Sequence, residues 1–386
     1  MYLKLTENIV DEAIAGNQHA HYILRQLNIC VMLGTHFVFA HVKALDKIAA
    51  NFAEDYPYLR KIREKYYVLG SQAAMIDWHV EFDLNHADSY VDKAARTIYI
   101  SKIDAQHKSF YEETHLVAEN LLDIDFYEAV LQVYKNMTAK RVHHRYYPIL
   151  GGGATTARVM ESEIKHRKSF VICIVDSDKH YLGDSVGATA QTVKSYLDKK
   201  ACPFAQYYVM QEVTEVENLI PMKVYAQYAA DKKDPDLLSR LSVLQKIGAH
   251  SWELLNYFDF KEGITHHMLQ DASGRAHYVR CINIVDPAMG TSIKSNDDAI
   301  TALQGKLRSM GLVDATLIEK TSTEAARNMK YIHGLGTKIL DNILRDKSYL
   351  LYDIKKEDLS LAQLNEFMAI GSFLLDWTCS GQKCLS

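Results

Sequence analysis

Apolar residues in LTENIVDEAIAGNQHAHYILRQLNI (5–29) recur every three or four positions, the spacing of one face of a helix. FVFAHVKALDKIAANFA (37–53) and PYLRKIREKYYVLG (57–70) repeat that period. Residues 1–108 are therefore expected to be a mainly helical region, with one short strand at RTIYIS (96–101). From about residue 114 the texture changes to a regular alternation. THLVAE (114–119), YYPILGG (146–152), FVICIVDSD (170–178) and AQYYVMQEV (205–213) read as strands. Between and after them, DFYEAVLQVYKNM, TTARVMESEIKHR, SVGATAQTVKSYLDKK and VENLIPMKVYAQYAA read as helices. Strands alternating with helices predict an α/β domain over 109–230 with a mainly parallel four-stranded sheet between helices. The third strand is apolar on both sides, as a central parallel strand should be. Residues 231–386 return to amphipathic helical spacing, in DLLSRLSVLQKIGAHSWELLNYF, TEAARNMKYIHGLGTKILDNILRD and LAQLNEFMAIGSFLLDW.

Composition narrows this reading only a little. A chain of 386 residues is expected to form two or three domains, and 48% hydrophobic with 24% charged residues is ordinary for a folded protein. The net charge of −4 argues against a protein that coats nucleic acid non-specifically, but leaves room for a local basic patch. None of the six cysteines forms a CxxC pair or stands at zinc-finger spacing from histidine, so all are expected to be reduced thiols in a cytoplasmic protein. The first residues have no signal-like apolar run, and no stretch approaches the roughly 20 apolar residues of a bilayer span, so no membrane partner is expected.

The chemistry sits where the predicted strands end, which is where open α/β sheets bind ligands. The first strand ends in Glu119, with Asp123 four residues on. The second runs into Gly151, Gly152 and Gly153, then Thr155 and Thr156. The third ends in Asp176 and Asp178, and the fourth leads into Glu212, Glu215 and Glu217. Residues two apart on a strand share a face, so Asp176 and Asp178 are expected to converge, with Glu119 approaching from a neighbouring strand. Crowded carboxylates repel unless a cation sits among them, and oxygen ligands without His or Cys favour Mg²⁺ or Mn²⁺. By itself the DxD is as well explained as a solvated strand end.

Acid-x-x-x-acid, glycine turn, DxD and Glu-Asn on consecutive strands resemble the Toprim domain, and most closely the Toprim nucleases of the overcoming-lysogenization-defect type. The resemblance covers about 110–230, under a third of the chain. It implies a Toprim-like fold and a metal-dependent endonuclease that hydrolyses DNA or RNA, tRNA included, as a toxic effector of bacterial anti-phage defence. It implies two Mg²⁺ or Mn²⁺ ions held by Glu119, Asp123, Asp176 and Asp178, with Glu217 as a further ligand preferred to Glu215, which would face the opposite way on a continued strand. Glu119, Asp176 and Asp178 would be catalytic, with Lys179 either on the scissile phosphate or simply exposed in a loop. A regulatory partner such as an ATPase, or a homo-oligomer, would restrain the enzyme, since the chain has no ATPase signature of its own. The family has Glu-Gly where this chain has Glu119-Asn120; Asn tolerates the left-handed backbone, so a tight turn is expected to survive. Asp125 is an alternative to Asp123 whose place at the helix head also suits an N-cap.

GGGATT (151–156) either presents amides of Gly152 and Gly153 and the hydroxyl of Thr155 to a phosphate, or is a tight turn with Thr155 capping the next helix. KNMTAKRVHHRYY gathers Lys135, Lys140, Arg141, His143, His144 and Arg145. Lys140, Arg141 and Arg145 are candidates for gripping a nucleic-acid backbone, against the alternative of a solvated face. The adjacent His266 and His267 have no third ligand and are not read as a metal site. Other readings of the DxD are a metal-dependent nucleotide-sugar transferase, a haloacid-dehalogenase phosphatase, and a Toprim-like interaction module without catalysis.

Overall fold

The structure, a computed structural model, describes residues 1–200, 202–293, 297–298, 300–301, 304–305 and 329–383. The chain forms two compact units: Met1–Val175 with Ala188–Val209 and Met368–Ser386, and Asp176–Gly187 with Met210–Phe367. The boundary expected near residue 108 falls inside the first unit, and the one expected near 230 inside the second.

The first unit contains a sheet where the sequence suggested mainly helix. Strands β1 (Tyr2–Leu5), β2 (Phe37–Ala40), β3 (His79–Asp83), β4 (Tyr90–Asp92) and β5 (Thr97–Ser101) run in the order β2-β1-β3-β5-β4. All neighbours are parallel except β4, which is antiparallel to β5. Helices α1 (Glu7–Ile14), α2 (Gln18–Leu33), α3 (Val42–Asn51), α4 (Pro57–Glu64) and α5 (Tyr66–Ala73) connect these strands. The misreading has a physical cause. Phe37–Ala40 is a four-residue apolar strand running straight into α3, and a short buried strand has no period of its own to distinguish it from a helix.

The second sheet of this unit bears out the expected alternation. β6 (Thr114–Ala118), β8 (Tyr146–Leu150), β9 (Val171–Val175) and β10 (Ala205–Val209) lie in the order β10-β9-β6-β8, all parallel. Between β6 and β8 comes β7 (His143–His144), which pairs antiparallel with a distant strand, Cys379–Ser380. Helices α6 (Leu121–Thr138), α7 (Thr156–Ser162) and α8 (Ala188–Lys200) accompany the sheet. β6 and β9 are buried at every position, whereas β8 is largely exposed and holds Pro148, which an edge strand tolerates because one row of its N–H groups needs no partner. Ala118 of β6 stands opposite both Ile174 and Leu150, so the three strands finish nearly level.

The second unit is largely helical, as expected: α9 (Val216–Leu219), α10 (Met222–Lys232), α11 (Pro235–His250), α12 (Glu253–Asn256), α13 (His266–Gln270), α14 (Ala272–Val285), α15 (Pro287–Ser292), α16 (Ile339–Lys347) and α17 (Tyr349–Tyr352). The helix expected over 323–346 is only in part testable, because 323–328 lie outside the described residues. Of the rest, β12 (Lys330–His333) is a strand antiparallel to β11 (Gly263–Thr265), and the helix begins at Ile339. Gly263 has φ +86°, and a Cβ there would lie 2.1 Å from Ile332 O, so this pairing excludes any other residue. Helix α18 (Leu361–Thr378) has residues in both units, and β13 (Cys379–Ser380) follows it.

Asp376 of α18 is only 5% exposed and accepts a 2.9 Å hydrogen bond from Asp77 N. Burial pushes its carboxyl up to about 6, with the Asp77 amide pulling the other way. An acid raised in the folded state contributes fully below its unfolded value of about 3.9 and loses that contribution as pH rises through about 6. Asp376→Asn, which keeps the acceptor, is predicted to gain stability relative to wild type between about pH 4 and about pH 7, by up to about 3 kcal/mol. Denaturant unfolding of both proteins across that range checks it; parallel curves would show that Asp376 is ionised in the fold.

Candidate functional site

In the first unit the glycine turn after β8 closes on the end of β6. Gly151 N donates to Ala118 O at 2.7 Å and Gly152 N to Glu119 O at 3.0 Å. A Cβ on Gly151 would stand 2.5 Å from Thr156 Oγ1 and 2.8 Å from Ala118 O, so glycine is required by the close approach. A Cβ on Gly153 would lie 3.7 Å from Glu119 Oε2, which places the Glu119 carboxylate against this turn. The amides of Gly151 and Gly152 are thus committed to the carbonyls of Ala118 and Glu119, so that of Gly152 does not serve a phosphate. Thr155 does not cap α7; its hydroxyl donates to the carbonyls of Gly151 and Gly152.

Asn120 is extended (φ −131°, ψ 151°), not left-handed as expected, because it serves as the N-cap of α6. Asp123 Oδ2 accepts from Asn120 N at 3.0 Å, the return bond of a capping box, which ties this carboxylate to the start of the helix. Asp125 is exposed within α6 and is not its N-cap.

The basic cluster divides. Lys140 and Arg141, with Lys135 and His143, line a concavity of about 450 Å³. Lys140 Nζ stands 5.4 Å from the centre of the Tyr134 ring. Arg145 is occupied elsewhere: its guanidinium pairs with Glu113 at 2.8 Å and donates to Leu33 O at 2.9 Å. His144 lies between Glu128, at 2.8 Å, and Lys135, at 3.3 Å.

The second unit contains Asp176, Asp178, Lys179 and Glu217. β9 ends at Val175, so the alternation of a strand does not extend over the two aspartates. Ser177 is fully buried, with its hydroxyl donating to Val213 O at 2.6 Å. The amides of Ser177 and Asp178 both donate to Thr214 O, at 2.9 and 3.1 Å. Asp178 takes φ +51°, an uncommon conformation for a residue with a side chain. Gly187 N returns to Ser177 O at 2.8 Å, and a Cβ on Gly187 would meet Asp178 Oδ2 at 2.3 Å. Burial of the carboxyl raises the Asp178 pKa, with His180 and Lys261 acting against it. Lys179 Nζ donates to Gln211 O at 3.3 Å.

Glu215 and Glu217 do not face opposite ways. Glu215 caps α9 and Glu217 lies within it, where strand alternation no longer applies. Both reach Lys261: its Nζ is 2.7 Å from Glu215 Oε2 and 3.3 Å from Glu217 Oε2. Asn218 fixes the turn, donating to Leu255 O and Phe258 O at 2.8 Å each and accepting from Glu215 N at 3.1 Å. Burial alone would lower the Lys261 pKa, but Glu215, Glu217 and then Asp176 outweigh it and hold the amine above its ordinary value. Burial and the neighbouring Glu217 raise the Glu215 pKa, against the pull of Lys261. The ammonium is therefore the counter-charge of this acidic group. Sequence reading missed it, because an isolated lysine far along the chain from DxD has no local signal.

The donor chemistry, all carboxylate oxygen, suits Mg²⁺ or Mn²⁺. The arrangement does not fit one. Among the described residues no group of three His, Cys, Asp or Glu side chains is placed to hold a metal ion, and the cation between Glu215 and Glu217 is Lys261. His266 is buried with Nδ1 3.2 Å from Tyr331 Oη.

Removing Lys261 leaves two buried carboxylates facing each other without a counter-charge, a change that costs about 3–5 kcal/mol. Lys261→Met is predicted to lower the melting temperature, and adding Glu215→Gln to recover part of the loss. An unchanged melting temperature in the single variant would show that the pair is not formed in solution.

No family model, curated protein or solved structure matches the chain. Among the described residues no helix is long and apolar enough to cross a membrane.

Proposed function

We propose that this chain is a nuclease that hydrolyses phosphodiester bonds of DNA or RNA at the carboxyl ends of β6 and β9. The observation that supports this most is the register of two adjacent, parallel, fully buried strands. Ala118 stands opposite Ile174, the next residue after β6 is Glu119, and the next after β9 is Asp176. Parallel sheets of this kind bind ligands beyond those ends. The glycine turn of β8 against Glu119 supports the same reading, as does the order of acid, glycine and DxD that resembles the Toprim nucleases. Asp178, whose carboxyl is raised, is suited to take a proton from an attacking water. Lys140 and Arg141 are suited to hold phosphates, and Arg145 is not, being paired. A role as a defence effector and restraint by a partner protein follow from the resemblance and form part of the proposal; the resemblance also implies Mg²⁺ or Mn²⁺, for which the carboxylates of the described residues, as placed, do not form a site. No catalytic step is assigned to a metal.

Purified protein assayed on plasmid DNA and on total tRNA, with Mg²⁺, Mn²⁺ or excess EDTA, tests the reading. Wild type is expected to cut one of these substrates, and comparison of the metal and EDTA arms decides whether the ion implied by the resemblance is needed. Glu119→Ala and Asp176→Ala should cut at least about a hundredfold more slowly, as expected when a group acting in the transition state is removed. Gly187→Ala, which drives a methyl into Asp178, should behave like them. Normal cleavage by these variants would remove the site, and cleavage in EDTA would remove the metal. The second reading, a binding module without catalysis, is favoured by Lys261 holding Glu215 and Glu217; nucleic-acid binding by wild type without cutting would select it.

Replacing Lys140 and Arg141 by Gln should reduce the slope of log binding constant against log salt by about 0.9 for each phosphate that these side chains neutralise. An unchanged slope would mean the concavity does not touch the backbone.

A further inference from the structure

The first unit contains a second cavity, of about 350 Å³, and no carboxylate of the proposed nuclease lines it. Its walls are apolar side chains from α2, β2, α4 and α5, Val31, Val38, Ile62 and Leu69 among them. Val68, a large apolar residue left 61% exposed, also borders it. Two lysines line the same cavity, Lys61 on α4 and Lys65 just beyond its end. Among the described residues neither forms an ion pair; Lys61 Nζ only lies over the Tyr58 ring, 5.1 Å from its centre. On another side stand His143 and Ser380, partners across the β7–β13 ladder. Ser380 is 1% exposed and its Oγ has no hydrogen-bond partner.

Like charges four residues apart on a helical face repel, and apolar walls left facing solvent forgo burial. An anion answers the first cost and an organic body the second. We propose that this cavity binds a small organic anion: one carboxylate or phosphate, met by Lys61 and Lys65, on an apolar or aromatic body seated against Val38, Ile62 and Leu69. The volume lies at the lower end of the roughly 300–1,000 Å³ usual for small-molecule sites, which restricts the occupant to a compact molecule. A hydroxyl that rotates about one bond, that of Ser380, can meet a polar group of the ligand. This inference does not rest on the nuclease reading and stands or falls separately.

The probe is anilinonaphthalene sulfonate, an aromatic anion whose fluorescence rises in apolar surroundings, titrated into the full chain. Saturable binding at one site per chain is expected. Lys61→Gln with Lys65→Gln should weaken it about tenfold or more, the loss of at least one charge-assisted hydrogen bond, while Lys61→Arg with Lys65→Arg should retain it. The neutral analogue phenylnaphthylamine should bind wild type and the Gln variant alike, which separates loss of charge recognition from loss of the fold. Competition then identifies the head group: displacement by decanoate assigns a carboxylate, and displacement by adenosine monophosphate a phosphate. Non-saturable binding, equal affinity in the Gln variant, or displacement by neither competitor would overturn the proposal.

Discussion

Every residue of β6 and β9 is buried, so each backbone N–H and C=O of the pair must be met within the ladder and both faces must be covered. That constraint decides the arrangement around it. Strands β8 and β10 complete the hydrogen bonding on either side, and the helices between strands follow because parallel neighbours need long crossovers. The polar residues admitted into this pair, Thr114 and His115, are accepted because Thr114 Oγ1 donates to Trp377 O at 2.6 Å and His115 Nδ1 meets Glu163 Oε2 at 2.7 Å. Neither strand contains a carboxylate, and Glu119 and Asp176 stand just past their ends.

The second unit meets the opposite problem, charge that is buried. Two glutamates within three positions would repel strongly away from water. Lys261 converts that repulsion into a three-membered group, and Asn218 holds the turn by which both glutamates reach it. Such a group specifies geometry more than it adds stability, because desolvation offsets much of the attraction. Ser177, Thr214 and Gly187 hold the neighbouring aspartates in a comparable way through neutral hydrogen bonds.

The second sheet was legible because its strands are separated by helices long enough to show their own period. The first was not, since Tyr2–Leu5 and Phe37–Ala40 are too short to alternate visibly. The residues beyond the strands were legible as a set but not as a geometry. Strand alternation was extended over Asp176–Asp178 and over Glu215–Glu217, where the backbone has already turned. Asn120 was read for the conformations it tolerates, whereas its role is set by the helix that begins after it. Arg145 looked free until the fold supplied Glu113, and Lys261 had no meaning until it met the glutamates.

The Ser177–Gly187 segment begins and ends at one hydrogen bond, Gly187 N to Ser177 O, and its tip carries Leu182, 81% exposed, and Gly183 at φ +92°. A loop whose two feet are pinned is insulated from its own contents. Asp178 is held at one foot by Thr214 and Gly187, so residues can be exchanged or added at the tip with little effect on where that carboxylate points. The entropic cost of lengthening a closed loop grows only with the logarithm of its length. The fold thus sets a fixed anchor and an exposed tip within a dozen residues, so that the tip projects recognition chemistry from a base it does not have to build.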